Sequence, residues 1–180
     1  MKKRVLCLLA TGFEEIETVA PIDLLRRAES EVVIAALGGE KLVTGRSGIS
    51  IEADAMLAEV ADQEFDALLI PGGPGVKALR TDGRPAQLAK QFTAQNKLVA
   101  AICAAPTVLA DAGLLANRRF TAHFSVHNEL PGALADARVV KDGNLITSRG
   151  AGTAVEFGIA LVAELHGQEK SAEVTKAIML

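Results

Sequence analysis

The sequence predicts an α/β fold with a mostly parallel sheet covered on both faces, and three observations carry that reading. Short apolar runs alternate with segments of helical composition, the rhythm of strands buried by crossover helices on either side. Several runs end in glycine-rich turns, such as Pro71-Gly72-Gly73, and in sheets of this kind ligands bind at the carboxyl ends of the strands. The run 98–102 passes into a helical stretch, 104–112, across the single residue Cys103. That is the pattern of a nucleophile elbow, with a reactive side chain on a sharp strand-to-helix turn.

In chain order, residues 4–10 are continuous and apolar and form the first strand. Gly12 opens the turn after it, and Glu14 and Glu15 suit the positive end of a helix reaching about Ala28. Pro21 falls inside that helix, so a kink or a late start is expected. Residues 31–37 are a second buried strand, closed by Gly38-Gly39. Residues 41–53 are punctuated by glycine and serine between short β-like runs and read as a hairpin excursion. A helical turn over 56–61 leads to a third strand, 65–70, and Pro85 opens a helix to Gln95.

After the elbow, residues 119–123 read as a strand and the segment to 135 as irregular. Residues 138–141 and 145–148 pair as a hairpin across Asp142-Gly143-Asn144. Thr153 and Glu156 have the spacing of a capping box at the head of a long apolar helix ending near His166. A last short helix covers 169–178. No linker or internal repeat interrupts residues 1–180, so one domain is expected.

Composition limits what such a domain does. Hydrophobic residues make up 49%, charged residues 23% and aromatics 3%, and the net charge is -3. This is no basic, ring-rich surface for nucleic acid. The apolar run behind Met-Lys-Lys-Arg is too short for a signal peptide, and no run is long enough to cross a bilayer. The only two cysteines, Cys7 and Cys103, lie far apart and form no metal-ligand pair. That usage fits a reducing compartment, and a cytoplasmic location is expected.

Three groups carry potential chemistry. Cys103, at a strand end with helix N–H groups pointing past it, sits where a thiol pKa falls and sulfur becomes nucleophilic. A small core residue is the other reading of a free cysteine. Glu17 has Phe13, Ala20, Pro21 and Leu24 as helical neighbours. An apolar stripe strips a carboxylate of water and raises its pKa, which suits it to moving protons. Otherwise it is a helix-surface glutamate, like Glu14 and Glu15, which have easier access to water. Gly72, Gly73 and the Ala104 N–H can hold an oxyanion, although Pro-Gly-Gly also serves ordinary turns. Of the three histidines, His123 alone ends a predicted strand within reach of the elbow. A structural role is its alternative.

Four stretches occur in the order and spacing of the DJ-1/ThiJ/PfpI superfamily: Ala-Thr-Gly-Phe-Glu-Glu-Ile-Glu-Thr-Val at 10–19, Leu-Ile-Pro-Gly-Gly at 69–73, Ala-Ala-Ile-Cys-Ala-Ala-Pro at 100–106 and Thr-Ser-Arg-Gly-Ala-Gly-Thr at 147–153. The sequence most resembles the DJ-1 branch of deglycases and its bacterial relatives. That resemblance implies a flavodoxin-like three-layer sandwich, a homodimer, Cys103 as the reactive thiol and Glu17 as its protonated partner. It also implies His123 nearby, Gly73 and Ala104 as oxyanion donors, and Arg26 and Arg27 near the dimer contact. In the PfpI peptidase branch a histidine follows the elbow cysteine, and here Ala104 does. Phe124 and Ala151 stand where close relatives carry proline.

The expected function is that of a cofactor-independent cysteine enzyme acting on small reactive dicarbonyls, free or added to protein groups, in the manner of a glyoxalase or deglycase. No metal is expected. The alternative is a non-enzymatic oxidative-stress sensor or redox-regulated chaperone acting through oxidation of Cys103.

Overall fold

A computed structural model describes residues 2–180. The chain runs through β1 (Arg4–Leu9), α1 (Glu15–Arg27), β2 (Glu31–Ala36), β3 (Leu42–Thr44), β4 (Ser50–Glu52), β5 (Ala55–Met56), α2 (Leu57–Val60), β6 (Ala67–Ile70), α3 (Val76–Asp82) and α4 (Arg84–Ala94). It continues through β7 (Leu98–Ile102), α5 (Pro106–Asp111), β8 (Val139–Asp142), β9 (Leu145–Ser148), α6 (Ala154–His166) and α7 (Gln168–Ala177). Seven strands form one sheet in the order β5-β2-β1-β6-β7-β9-β8. All neighbours are parallel except the β8–β9 hairpin, and β3 and β4 form a separate antiparallel ribbon. The α/β, flavodoxin-like sandwich read from the sequence is the fold found.

The three layers follow from alternation along the central strands. Leu6, Leu8, Leu68, Ile70, Val99 and Ala101 face one side, where they pack with Leu88 and Phe92 of α4 and Leu109 of α5. Their neighbours Val5, Cys7, Leu9, Leu69, Ala100 and Ile102 face the other side, against Leu25 of α1 and Phe157 and Leu161 of α6. A strand buried on both faces carries no polar alternation, because consecutive side chains enter two different cores. α1 and α6 approach closely at Gly158, where a Cβ would lie 3.1 Å from Pro21 Cα.

Three expectations need correction. Residues 119–123 form no strand. The edge of β7 they would need is taken by β9, so Thr121 N–H donates to the Thr147 hydroxyl (2.9 Å) instead of joining a ladder. Thr153 and Glu156 do not form a capping box. The Thr153 hydroxyl shares a hydrogen bond with Ser148 (2.6 Å) and donates to the Gly150 carbonyl (2.8 Å), while Glu156 is drawn off by Arg138. Glu14 and Glu15 are buried, not open to water. The β3–β4 ribbon folds over the head of α1 through hydrogen bonds from Arg46 N–H to Phe13 O and from Ser47 N–H to Glu15 Oε1.

Candidate active site

Cys103 is the first residue past β7 and has φ 66°. A left-handed conformation is costly for a residue with a Cβ. It is held from both sides: Cys103 N–H donates to Ser148 O (2.9 Å), and Cys103 O accepts from His123 N–H (2.8 Å). The turn throws the side chain up at the carboxyl end of the sheet, where it is partly buried. The backbone N–H groups of Gly73 and Ala104 reach the sulfur and favour its thiolate.

Glu17 arrives from the first turn of α1. Glu14 caps that helix by accepting from Glu17 N–H (2.8 Å), which fixes the direction in which the Glu17 side chain leaves. The side chain is almost wholly buried, at 1% exposure. One carboxyl oxygen accepts from Gly72 N–H (3.0 Å), and the carboxyl meets the Cys103 thiol. Only glycine fits at 72. An added Cβ would stand 2.6 Å from Cys103 Cβ and 2.8 Å from Ile102 O, and would collide with the Glu17 carboxyl.

The electrostatics link the two groups. Burial, helped by the Glu14 carboxylate, raises Glu17 to about 7, against the pull of Cys103, Gly72 and Arg46. Burial, then the Glu17 charge, pushes the Cys103 thiol up to about 12, and the Gly73 and Ala104 N–H groups act against that rise. The elbow by itself therefore does not depress the thiol, contrary to the expectation from sequence. The pair shares its protons instead. The first proton leaves near 7, chiefly from Glu17, and the negative charge reaches the sulfur when the thiol proton passes to the Glu17 carboxylate. Cys7, wholly buried in β1, is raised to about 12 by desolvation and has no such partner.

His123 joins the site through its backbone. Its Nδ1 pairs with the Ser125 hydroxyl (2.8 Å), and its ring lies against that of Phe124, tilted by 36° at 4.1 Å between centroids. Burial lowers its pKa, with His127 and Arg46 adding to the effect. The ring borders a cavity of about 420 Å³ shared with His127, Arg149 and the Gly150–Thr153 turn. Both departures from the proline pattern, Phe124 and Ala151, line that cavity.

The structure thus brings together Cys103, Glu17, Gly72, Gly73 and Ala104, and places His123 beside them with its side chain turned to Ser125. Ser125 and Arg46 carried no recognisable signal in the sequence, since one lies in an irregular segment and the other in a hairpin turn. Arg26 and Arg27 are engaged within the chain, with Asp54 (3.6 Å) and Asp23 (2.7 Å). Among the described residues, no group of three or more His, Cys, Asp or Glu could hold a metal ion, and no helix is long and apolar enough to cross a membrane.

Comparison with known proteins places the chain in a family. The DJ-1/PfpI family model matches residues 3–164. Protein dj-1beta of Drosophila melanogaster is 41% identical over 184 residues, covering 100% of this chain and 98% of the relative. The crystal structure of Drosophila melanogaster DJ-1beta superposes with a TM-score of 0.94 at 40% identity, covering 100% and 99% of the two chains. An oxidized DJ-1 of Toxoplasma gondii superposes with a TM-score of 0.93 at 32% identity, covering 98% of each.

Proposed function

The chain belongs to the DJ-1/PfpI family, and from that premise we propose that it is a cofactor-independent cysteine enzyme acting on small reactive dicarbonyls such as methylglyoxal. One observation carries the reading: a buried glutamic acid that titrates near 7 stands against the sulfur of an elbow cysteine. The Cys103 sulfur adds to the aldehyde carbon, and the oxygen that gains the electron pair lies against the N–H groups of Gly73 and Ala104. Glu17 takes a proton from the former aldehyde carbon and returns one to the adjacent carbon. The product is a thioester of the 2-hydroxy acid, which water hydrolyses to lactate and free thiol. Methylglyoxal and water are consumed, lactate is formed, and no external oxidant enters. Burial holds the His123 imidazole below its ordinary range, and a turn of the ring away from Ser125 would let it serve as a second proton carrier.

The test is turnover of methylglyoxal to lactate by purified protein, with Cys103→Ser as control. Lactate formation that vanishes in the variant supports the reading. No lactate from the wild type, or equal amounts from both, rejects it.

A second reading is favoured by the oxidized state named for the Toxoplasma gondii relative. Peroxide would carry Cys103 to a sulfinate, which a protonated Glu17 would stabilise by donating a hydrogen bond. The protein would then act as a redox sensor or regulated chaperone. The reading also includes a homodimer in the cytoplasm. Ile16 and Val19 on α1 and Ile49 in the β3–β4 turn are large, exposed and apolar, a pattern that suits a second copy.

A further inference from the structure

Three segments meet at Cys103, two of them at its sulfur and the third at its carbonyl. The 71–75 loop brings the Gly73 N–H and runs into α3, and the elbow brings the Ala104 N–H and runs into α5. The segment starting at His123, bonded to Cys103 O, runs through the 3-10 turn Phe124–Val126 to Glu129. All three come together again at one guanidinium. Arg80, in the last turn of α3, donates from Nε and Nη2 to the Asp111 carboxylate at the end of α5 (2.7 and 3.0 Å) and from Nη1 to Glu129 (2.7 Å). Between Gly73 and Ala104 at one end and the guanidinium at the other lies a groove of about 760 Å³ walled by all three segments, Val76 and Val126 among them.

We propose that Arg80 is a positioning residue that sets the spacing of the two sulfur-facing N–H groups by tying the far ends of the segments that carry them. The planar fork suits this task. It binds Asp111 in a bidentate manner and still has a donor for Glu129, where a lysine would supply one point charge. Isolated surface ion pairs contribute little, so the effect is not one of general stability. Removing the guanidinium leaves two carboxylates, both within 3.0 Å of the same vacated group, to repel each other. α5 and the His123 segment then part, and the N–H groups stray from the sulfur.

The experiment reads the sulfur itself and does not rest on dicarbonyl turnover. The rate of Cys103 alkylation by iodoacetamide is followed against pH for wild type, Arg80→Met, Arg80→Met/Glu129→Gln and Arg84→Met. Arg84 is the control, because it is a comparably exposed guanidinium bonded, among the described residues, only to Asp82 and Leu37 O. In Arg80→Met the midpoint should rise by about half a pH unit or more, a roughly threefold loss of rate near neutrality. Removing the repulsion in the double variant should recover part of it, and Arg84→Met should behave as wild type. A wild-type profile for Arg80→Met, no recovery in the double variant, or an equal shift in Arg84→Met overturns the proposal. Should Arg80→Met fail to fold, Glu129→Gln alone should raise the midpoint by a smaller amount, and an unchanged profile there overturns it.

Discussion

Glu17 is set apart from its two glutamate neighbours by the group it meets. Glu14 is engaged with Glu17 N–H and Glu15 with Ser47 N–H, so both have fixed structural work at the head of α1. Glu17 faces the sulfur. Its raised pKa has a consequence for stability. In the unfolded chain the carboxyl releases its proton near 4.5, and in the fold near 7. The folded state thus binds more protons between those values. The stabilisation from neutral Glu17 is complete below about 4.5 and is lost as pH rises to about 7. The stability difference between wild type and Glu17→Gln should therefore widen over that window in favour of the variant, by about 3 kcal/mol, and stay constant above it. A constant difference from pH 4 to 8 would place the ionisation elsewhere. Alkylation is the second check on this residue pair. Cys103 should react far faster than Cys7 in folded protein, with a rate that climbs through pH 7, where the pair first ionises. The sequence showed the apolar neighbours of Glu17, but not that the β3–β4 ribbon would fold over the head of α1 and onto Glu15, or that Glu14 would be buried too. That burial depends on contacts between segments far apart in the chain.

Among the elements, the elbow strand and its helix were legible because an apolar run, one break and a helical run leave few alternatives. α3 was not, because Pro71-Gly72-Gly73-Pro74-Gly75 reads as pure turn and hides the short helix that follows. The 119–123 segment misled for the opposite reason: its local pattern suits a strand, but its place in the sheet is occupied by β9. At the head of α6 the correct spacing of Thr153 and Glu156 was overridden by stronger partners. Thr153 is buried and bonded to Ser148 and Gly150, so Thr153→Ala should cost about 1–2 kcal/mol. Glu156→Ala should stay within about 0.5 kcal/mol, as for an exposed pair, and the two changes should add. Coupling between them in a double-mutant cycle would restore the capping box.

For the whole molecule, the sandwich places the C-terminal ends of β6 and β7 side by side, which is why Gly72, Gly73 and Cys103 converge. It also leaves Ile16, Val19 and Ile49 uncovered on neighbouring elements. If a second copy covers them, light scattering should give twice the chain mass for wild type, and Ile16→Asp/Ile49→Asp should shift the protein to monomer without unfolding it. A wild-type monomer at micromolar concentration would leave that face for another purpose.

The shared-proton pair is tested most directly by measuring methylglyoxal turnover and Cys103 alkylation side by side in wild type and Glu17→Gln. The amide keeps the shape of the side chain and can still donate to the thiolate, but it cannot carry a proton between two carbons. Alkylation should persist, while lactate formation should fall by at least ~10²-fold. Wild-type turnover in Glu17→Gln would contradict the mechanism and move the acid–base role to His123.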